Sequence, residues 1–209
     1  TVEFSGEQTQ DVVCFGNRKI AIARDEAFNF MYRENVEALK RAGEVVFFSP
    51  LRDKSLPEAD MVYFPGGYPE LHLAELAANE GMRQSVRKYC ENGGRVLAEC
   101  GGMMYLCDTI TDGDGKVYPM AGVLKQGATM EQMKLKLGYR EVRVNGQRIR
   151  GHEFHYSRIL PTNEKIPVIG TIYNAKDMVV DTPVYTYKNV LASYIHFYWG
   201  ECGIDHFLM

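Results

Sequence analysis

One tight turn constrains this chain more than any other feature of its sequence. Residues 95–98 (Arg-Val-Leu-Ala) follow the helix-stopping pair Gly93-Gly94 and are apolar and branched, which is typical of a buried strand. Cys100 stands just beyond this strand, and the segment Gly101-Gly-Met-Met-Tyr-Leu106 that follows favours a helix. A strand, a cysteine, two glycines and a helix form the pattern of a nucleophile elbow, which presents a reactive side chain on a sharp turn.

Two interpretations of Cys100 are open at this point. In the first, the dipole of the following helix stabilises the thiolate, so that the pKa of Cys100 is lowered and its reactivity is raised. In the second, Cys100 is a buried side chain that fills space at the end of a strand, and the glycines serve only the turn. Whether Cys100 is a nucleophile or a packing residue depends on which residues elsewhere in the chain lie near it.

The composition is that of an ordinary globular protein. The 209 residues, 45% apolar and 24% charged, are enough for one well-cored domain. A net charge of -3 gives no electrostatic reason to expect nucleic acid or an anionic membrane as a partner. No apolar run of the sequence approaches the roughly 20 residues that a membrane span needs.

The cysteines and the first residues indicate the context of the chain. Five cysteines are scattered without a CxxC pair, which argues against a disulfide framework or a zinc site and favours the reducing cytoplasm. The chain begins without Met and without a signal-peptide pattern, which suggests a part of a longer polypeptide. We expect residues 1–17, which are polar and aperiodic, to be a linker, and residues 18–209 to form the domain.

Strands alternate with helices over the first half of the chain. The predicted strands are Lys19–Ala23, Glu44–Phe48 and Met61–Phe64. The stretch 25–35 leads into a first predicted helix, which has apolar positions at Met31, Val36, Ala38 and Leu39 and ends at Gly43. Two more helices are predicted at about Pro69–Ala78 and Met82–Glu91. Such alternation implies right-handed crossovers and a doubly wound, mostly parallel sheet of the α/β class. Ligands of these sheets bind at the carboxyl ends of the strands, where we expect both Cys100 and the loop Pro65-Gly66-Gly67.

The second half of the chain is rich in β-strand patterns. The β-rich segments, separated by turn signals such as Asp112–Gly115, are Leu137–Val144, Ile149–Ile159, Val168–Tyr173 and Met178–Tyr187. We expect antiparallel hairpins that extend or cover the sheet. The run 190–195 predicts one further buried strand, which ends on His196.

Five histidines compete to act as a base for Cys100. His72 is predicted on a helix and His206 in a tail, which makes both weak candidates. Strand alternation places Glu153 and His155 on one face of their strand and His152, Phe154 and Tyr156 on the other. His196 is the strongest candidate, because it is expected at the same sheet edge as the elbow, where an imidazole can protonate a leaving amine.

Four motifs in this order resemble those of a known family. They are Phe64-Pro-Gly-Gly-Tyr-Pro-Glu70, Cys100-Gly-Gly-Met-Met-Tyr-Leu106, Gly151-His-Glu-Phe-His-Tyr-Ser157 and Ala192-Ser-Tyr-Ile-His196. They are similar to the glutamine amidotransferase domain of cobyrinic acid a,c-diamide synthases, and the resemblance runs from about Arg18 to the end of the chain. It implies a flavodoxin-like fold of the class I amidotransferases, with added antiparallel β segments.

The resemblance also implies a function and a division of labour. This domain is expected to release ammonia from L-glutamine with Cys100 as nucleophile and His196 as base. The oxyanion is expected to be bound by backbone N–H groups of Gly66, Gly67 and Gly101. An N-terminal synthetase domain, to which residues 1–17 would be the linker, is expected to bind the corrinoid, ATP and Mg²⁺ and to activate the a and c carboxylates. This chain has no GxxxxGK[ST] loop, so we expect no cofactor in it.

Two positions depart from the wider class I pattern. Tyr198 stands where those enzymes usually have the glutamate that completes a catalytic triad, so a Cys–His dyad is expected. Met104 stands where many of them carry a glutamine that holds the substrate. The glutamine pocket must then use other residues, and the candidates are Tyr68, Glu70, Glu153 and His155. The aromatic loop 25–32 also matches the family, and it either faces the partner domain or belongs to the core.

Three alternatives remain from the sequence. The nearest is the same role in a nickel sirohydrochlorin a,c-diamide synthase or in a cobyric acid synthase. A more distant one is a cysteine hydrolase or thiol sensor of a related fold, which would not need the Pro65-Gly66-Gly67 loop. The third is a catalytically silent docking module, against which the presence of both Cys100 and His196 argues.

Overall fold

The computed structural model of the chain describes residues 18–162 and 165–200. The strands are β1 Lys19–Ala23, β2 Glu44–Phe48, β3 Met61–Phe64, β4 Arg95–Glu99, β5 Cys107–Thr111, β6 Val117–Pro119, β7 Leu124–Thr129, β8 Lys136–Val144, β9 Gln147–His155, β10 Arg158–Ile159, β11 Thr171–Asn174, β12 Val184–Tyr187, β13 Val190–Ser193 and β14 Ile195–Phe197. The helices are α1 Arg33–Ala42, α2 Leu73–Ala78, α3 Glu80–Glu91 and α4 Gly101–Leu106, with a 3-10 turn at Pro69–Leu71.

A six-stranded sheet forms the centre of the domain, in the order β12-β13-β4-β3-β1-β2. Its strands are parallel except for the edge strand β12, which pairs antiparallel with β13. The predicted doubly wound, mostly parallel α/β sheet is therefore confirmed. Because β4 lies between β3 and β13, the residues that follow these strands meet at one edge.

The core lies on both faces of this sheet. Along β1, Ala21 and Ala23 pack into one buried cluster with side chains of α3 and α4. Ile20 and Ile22 point the other way, into a second cluster with side chains of α1. This alternation, with apolar residues on both faces, is why the strands read as continuous hydrophobic runs.

Two further four-stranded sheets contain the second half of the chain, as the β-rich patterns predicted. One has the order β10-β7-β5-β6 and the other the order β11-β8-β9-β14. The second of these is antiparallel throughout, and its inner face packs into the same cluster as α1. It thereby packs on the α1 side of the central sheet, and the carbonyl oxygen of Phe154 in β9 lies 3.7 Å from Sγ of Cys100.

The predicted start of the first helix was wrong. The helix α1 begins at Arg33, so Met31 lies in the loop before it rather than on its face. The Asp25 carboxylate accepts hydrogen bonds from the N–H groups of Ala27 and Phe28 at 3.0 and 3.2 Å. Such local side-chain bonds offer the backbone an alternative to the helix, and they hold this segment as a turn.

The run that leads to His196 was also predicted wrongly as one strand. It is broken at Tyr194: β13 ends at Ser193 in the central sheet, and β14 begins at Ile195 in the antiparallel sheet. The Ser193 hydroxyl donates to the carbonyl of Pro183 at 2.9 Å and accepts from the N–H of Ile195 at 3.2 Å, which turns the chain locally. The predicted helix at Pro69–Ala78 is likewise divided, at His72.

Some expectations fall outside the described residues. The linker at 1–17 and the tail that contains His206 are among them. Within residues 18–162 and 165–200, no helix has the length and apolar character needed to cross a membrane.

Candidate active site

Cys100 occupies a strained turn between β4 and α4. Its backbone has φ 47° and ψ -107°, in a region that non-glycine residues rarely adopt. Its N–H donates to the carbonyl of Ser193 at 2.7 Å, which ties the turn to β13. A Cβ atom on Gly102 would lie 2.3 Å from the carbonyl oxygen of Phe64, so the turn needs glycine there. The predicted nucleophile elbow is confirmed as a backbone geometry.

The thiol of Cys100 is buried and protonated in this state. It is 6% exposed, and Sγ donates to the carbonyl oxygen of Phe154 at 3.7 Å. Burial raises the pKa of Cys100 to about 12, the nearby Glu70 adds to the rise, and the N–H of Gly101 opposes it. The expectation of a lowered pKa was therefore wrong, because desolvation outweighs the start of a helix of only six residues.

His196 lies in the middle of β14, opposite His152 of β9. Its ring stacks on the ring of His152, with centroids 4.7 Å apart and planes 13° apart, and the edge of Phe30 contacts it at the same centroid distance. Burial, together with smaller contributions from the charges of His152 and His155, lowers the pKa of His196 to about 3. The imidazole is thus neutral near pH 7, as a proton acceptor must be.

The loop 65–69 contacts both the elbow and the histidine. The N–H of Gly102 donates to the carbonyl of Pro65 at 3.1 Å. On the other side of the loop, a Cβ atom on Gly66 would lie 2.2 Å from Cε1 of His196. The turn that carries Cys100 and the ring of His196 therefore approach the same five-residue segment from two different sheets.

The glycines expected at the oxyanion site are required by close contacts. Gly67 has φ +156°, and a Cβ atom on it would lie 2.1 Å from the carbonyl oxygen of Ala27. A Cβ atom on Gly101 would lie 2.7 Å from Cδ of Pro69. In the part of the chain that the structure describes, the N–H of Gly67 donates to no backbone carbonyl. Gly66, Gly67 and Gly101 thus lie in backbone that is packed too closely for a side chain at any of the three positions.

The four candidate pocket residues are placed in two different environments. Tyr68 is half exposed on the loop, and Glu70 follows it, partly buried, with its pKa raised by burial. Glu70 belongs to the 3-10 turn Pro69–Leu71, whose Pro69 ring lies against Gly101, and its charge contributes to the raised pKa of Cys100. Glu153 and His155 lie instead on the inner face of β9, as strand alternation predicted.

Glu153 is fully buried, and its oxygens are occupied by protein partners. Oε1 accepts from Nε2 of His155 at 2.7 Å, Oε2 accepts from Nε of Arg140 at 2.7 Å, and the Thr182 hydroxyl bonds both. Although burial opposes it, these bonds from His155 and Arg140 lower the pKa of Glu153 to about 2. Glu153 therefore supports its neighbours and does not reach into a pocket.

His155 lines a cavity of about 500 Å³ on the side of β9 that faces away from His196. Its Nδ1 lies 2.7 Å from the carbonyl of Ser157, and its ring stacks on the ring of Tyr194 at 3.5 Å. Both ring nitrogens thus face acceptor oxygens. This arrangement leaves no ring nitrogen of His155 for the Cys100 thiol, so His196 keeps the role of the candidate base.

Comparison with known proteins identifies the family. Residues 19–202 match the CobB/CobQ-like glutamine amidotransferase domain. The chain belongs to this family. Over 191 residues, the amidotransferase domain is 37% identical to the cobyrinate a,c-diamide synthase of Salmonella typhimurium, covering 87% of this chain and 42% of the relative.

A second relative and two solved structures agree with this. The hydrogenobyrinate a,c-diamide synthase of Pseudomonas aeruginosa is 40% identical over 181 residues, covering 86% of this chain and 41% of the relative. PurLQS from Thermotoga maritima has TM-score 0.60 at 18% identity, covering 86% of this chain and 87% of that one. A further glutamine amidotransferase structure has TM-score 0.55 at 24% identity, covering 85% and 89%. The fold is that of the class I glutamine amidotransferases.

The chain spans about two fifths of the length of the curated relatives it matches. The amidotransferase domain is thus one part of what those relatives contain. What the remaining part does in them carries over to this chain only as a proposal.

Several residues of this amidotransferase site were not singled out by sequence reasoning. The hydroxyl of Tyr32 lies 2.5 Å from Nδ1 of His152, and the ring of Phe30 contacts the ring of His196. The aromatic loop therefore packs against both histidines of the stacked pair. Glu99, which precedes Cys100, is 1% exposed and accepts hydrogen bonds from Tyr63 and from the backbone of Phe197. The sequence did contain one signal for Glu99: a carboxylate at the end of a buried strand is unusual and indicates a specific role.

Proposed function

We propose that this domain is the glutaminase part of an a,c-diamide synthase that amidates a cobyrinate-type tetrapyrrole. One observation carries the proposal: the Cys100 elbow and the His196 ring both contact the loop 65–69. Family membership and the names of the relatives support the same reaction. A nucleophile, a base and a glycine-lined recess are the three parts that acyl transfer from an amide requires.

The first half of the reaction forms a glutamyl thioester. The neutral His196 takes the thiol proton of Cys100 as sulfur attacks the carboxamide carbon of glutamine. The resulting oxyanion is bound by backbone N–H groups of Gly67 and Gly101, with Gly66 beside them. One such donor typically lowers the barrier by ~3–4 kcal/mol. The imidazolium then gives its proton to the departing nitrogen, and ammonia leaves.

The second half regenerates the enzyme. His196 takes a proton from water, whose oxygen attacks the carbonyl carbon of the thioester. The C–S bond breaks, glutamate leaves, and the proton on His196 returns to the Cys100 sulfur. Glu70 is the candidate to bind the amino group of glutamine, because it lies in the turn Pro69–Leu71 that packs against Gly101.

Ammonia is consumed by a partner that activates the acceptor carboxylates. We assign this step to an ATP- and Mg²⁺-dependent synthetase domain, which would occupy the additional length of the relatives. That domain would also bind most of the tetrapyrrole, so nothing in this domain has to distinguish cobalt, nickel or metal-free rings. Ammonia has to pass between the two domains without contact with bulk water.

The surface next to the site suits such a partner. Strand pairing places Leu137, Tyr139 and Phe154 on the same face of the antiparallel sheet as His152 and His196. Leu137 is 62% exposed and Tyr139 76% exposed, although both are large and apolar. Exposed apolar surface beside a reactive site is a common feature of interaction surfaces.

A charged substitution on this surface tests whether the synthetase domain docks there. Tyr139→Asp is expected to weaken association with the separately expressed synthetase domain, measured by calorimetry, while Cys100 remains reactive. The matched control is Val117→Asp on β6, which changes an exposed apolar residue of a different sheet. Equal weakening by both variants would argue against the proposed surface.

The proposed chemistry is tested by single substitutions. Cys100→Ser and His196→Ala are each expected to abolish glutamate release in the presence of the synthetase domain, ATP, Mg²⁺ and tetrapyrrole. Mass spectrometry of the tetrapyrrole product, with cobyrinate, hydrogenobyrinate and nickel sirohydrochlorin offered in parallel, identifies the acceptor. Unchanged glutamate release by Cys100→Ser would overturn the proposal.

A further inference from the structure

Among the strands that the structure describes, β14, which carries His196, pairs along one edge only, with β9. In an antiparallel ladder, alternate residues direct their N–H and C=O groups to opposite edges. His196 is paired with His152, and the N–H of Tyr198 donates to the carbonyl of Arg150 at 2.8 Å, so these residues face β9. Phe197 lies between them, and its N–H and C=O point away from β9.

Two buried side chains take the place of a neighbouring strand at this second edge. The N–H of Phe197 donates to Oε1 of Glu99 at 3.1 Å, and its carbonyl accepts from Nδ2 of Asn35 at 2.7 Å. The N–H of Trp199 donates to Oδ1 of the same Asn35 at 2.9 Å. Glu99 is 1% exposed and Asn35 0% exposed, so water is excluded from all three bonds.

The Glu99 carboxylate is itself held in place. Its Oε2 accepts from the hydroxyl of Tyr63 at 2.7 Å, and the ring of Tyr63 packs on Trp199 with centroids 5.3 Å apart. Burial raises the pKa of Glu99 to about 8, against the bonds from Tyr63 and Phe197. A buried carboxyl is costly to a fold, and such groups are retained mainly where they specify a particular arrangement.

The ring of His196 has few other constraints. Its Nδ1 is buried and bonds no partner among the described residues. The third member of a catalytic triad usually bonds this imidazole directly, but here the position two residues later is Tyr198. The place of the ring therefore depends on the backbone of β14 and on packing against Phe30, His152 and Gly66.

We infer that Glu99, assisted by Asn35, is the positioning residue for His196: it bonds the backbone of β14 from the strand that carries Cys100 and so sets the distance between nucleophile and base. Glu99 is adjacent in sequence to Cys100, and Phe197 is adjacent to His196. A single hydrogen bond thus links the two catalytic segments across two sheets. This inference rests on the proposed roles of Cys100 and His196.

The inference predicts a specific kinetic defect. Glu99→Ala removes the acceptor for Phe197. With the synthetase domain and its substrates present, it is expected to lower kcat for glutamine hydrolysis about 10- to 100-fold, because a misplacement on the order of 1 Å has this effect on a positioned group. KM for glutamine should change less than about threefold, since no substrate contact is lost. Asn35→Ala is expected to act in the same direction, and it serves as the test if Glu99→Ala fails to fold.

Glu99→Gln distinguishes positioning from other roles. The amide oxygen of glutamine can still accept from the N–H of Phe197, and its amide group can face Tyr63. We therefore expect Glu99→Gln to retain kcat within about threefold of the unchanged protein, with the pH profile of kcat unaltered. If Glu99→Gln loses as much activity as Glu99→Ala, positioning through this hydrogen bond is wrong.

A stability control and two catalytic controls complete the experiment. Val86→Ala, which creates a cavity under α3 away from the site, is the stability control: its melting temperature should fall while its kcat stays unchanged. A fall in kcat for Val86→Ala equal to that for Glu99→Ala would overturn the inference. If Glu99→Ala has wild-type activity while Cys100→Ser and His196→Ala are inactive, the positioning role of Glu99 is wrong. The proposed function is then unaffected. Activity in Cys100→Ser would instead reject the proposed function.

Discussion

The imidazole of His196 lies directly against Gly66, where a Cβ atom would be 2.2 Å from Cε1 and 2.9 Å from Nδ1. No side chain can occupy that position without moving the histidine. The backbone of the loop 65–69 is thus the surface on which the ring rests, and the same loop bonds the first turn of α4. Glycine at this position is required by contact with a functional side chain as well as by the shape of the turn.

Gly66→Ala is therefore expected to displace the His196 ring and to lower kcat for glutamine hydrolysis about 100-fold. Steady-state kinetics with the synthetase domain present measures the effect. Gly113→Ala is the matched control, because a Cβ atom there meets no atom within 4 Å. Equal kcat values for the two variants would contradict the contact with His196.

Cys100 is expected to be the one cysteine alkylated by diazo-oxo-norleucine, a glutamine-like electrophile. The electrophile is directed by the proposed glutamine site at Cys100, whereas Cys90 and Cys107 are fully buried on α3 and at the start of β5. Peptide mass spectrometry of the labelled chain locates the adduct. Labelling spread evenly over several cysteines would defeat the assignment of Cys100.

The titration of His196 is expected to destabilise the fold in acid. Its folded pKa of about 3 lies below the ordinary value of 6.5, so the unfolded chain binds the proton more tightly. This contribution to stability is present above pH 6.5 and is lost as the pH falls toward 3, by roughly 1.4 kcal/mol for each unit of pKa difference. Urea unfolding of the wild type and of His196→Asn across this range measures it; parallel pH dependences would contradict the shift.

Glu99 is expected to have the opposite effect at higher pH. Its folded pKa of about 8 lies above the ordinary value of 4.5, so the folded chain binds the proton more tightly. The contribution is fully present below pH 4.5 and is lost as the pH rises through 8. The free energy of unfolding of Glu99→Gln, relative to wild type, should therefore increase between these two pH values, and a constant difference would show that Glu99 is not protonated in the fold.

The domain alone is expected to hydrolyse glutamine slowly or not at all. The Cys100 thiol is buried, protonated and bonded to the carbonyl of Phe154, while His196 accepts a proton poorly in its dry surroundings. Docking of the synthetase domain beside Phe154 can change these contacts and complete the site. Glutamate release by the domain alone, compared with release after addition of the synthetase domain and its substrates, tests this gating. Full activity of the isolated domain would rule it out.

Local patterns of the sequence were sufficient for much of the fold and for the turn at Cys100, while the reactive roles of Cys100 and His196 stay predictions. The strand before Cys100 and the glycines after it specify an elbow, because apolar periodicity and glycine placement act over a few neighbouring residues. The order of strands and helices in the first half predicted the parallel sheet for the same reason. The inward orientation of Glu153 and His155 followed from strand alternation alone.

Only the tertiary structure decided how these parts meet. The run before His196 has the pattern of one strand, but pairing with β9 and the bonds of Ser193 divide it between two sheets. The pKa of Cys100 rises rather than falls, because burial is the sum of contacts from segments far apart in the chain. Glu99 and Asn35 meet Phe197 across separations of 98 and 162 residues, and no local pattern encodes such a contact. The sequence determines which side chains are present. The distances between them, their desolvation and their pKa values depend on tertiary packing.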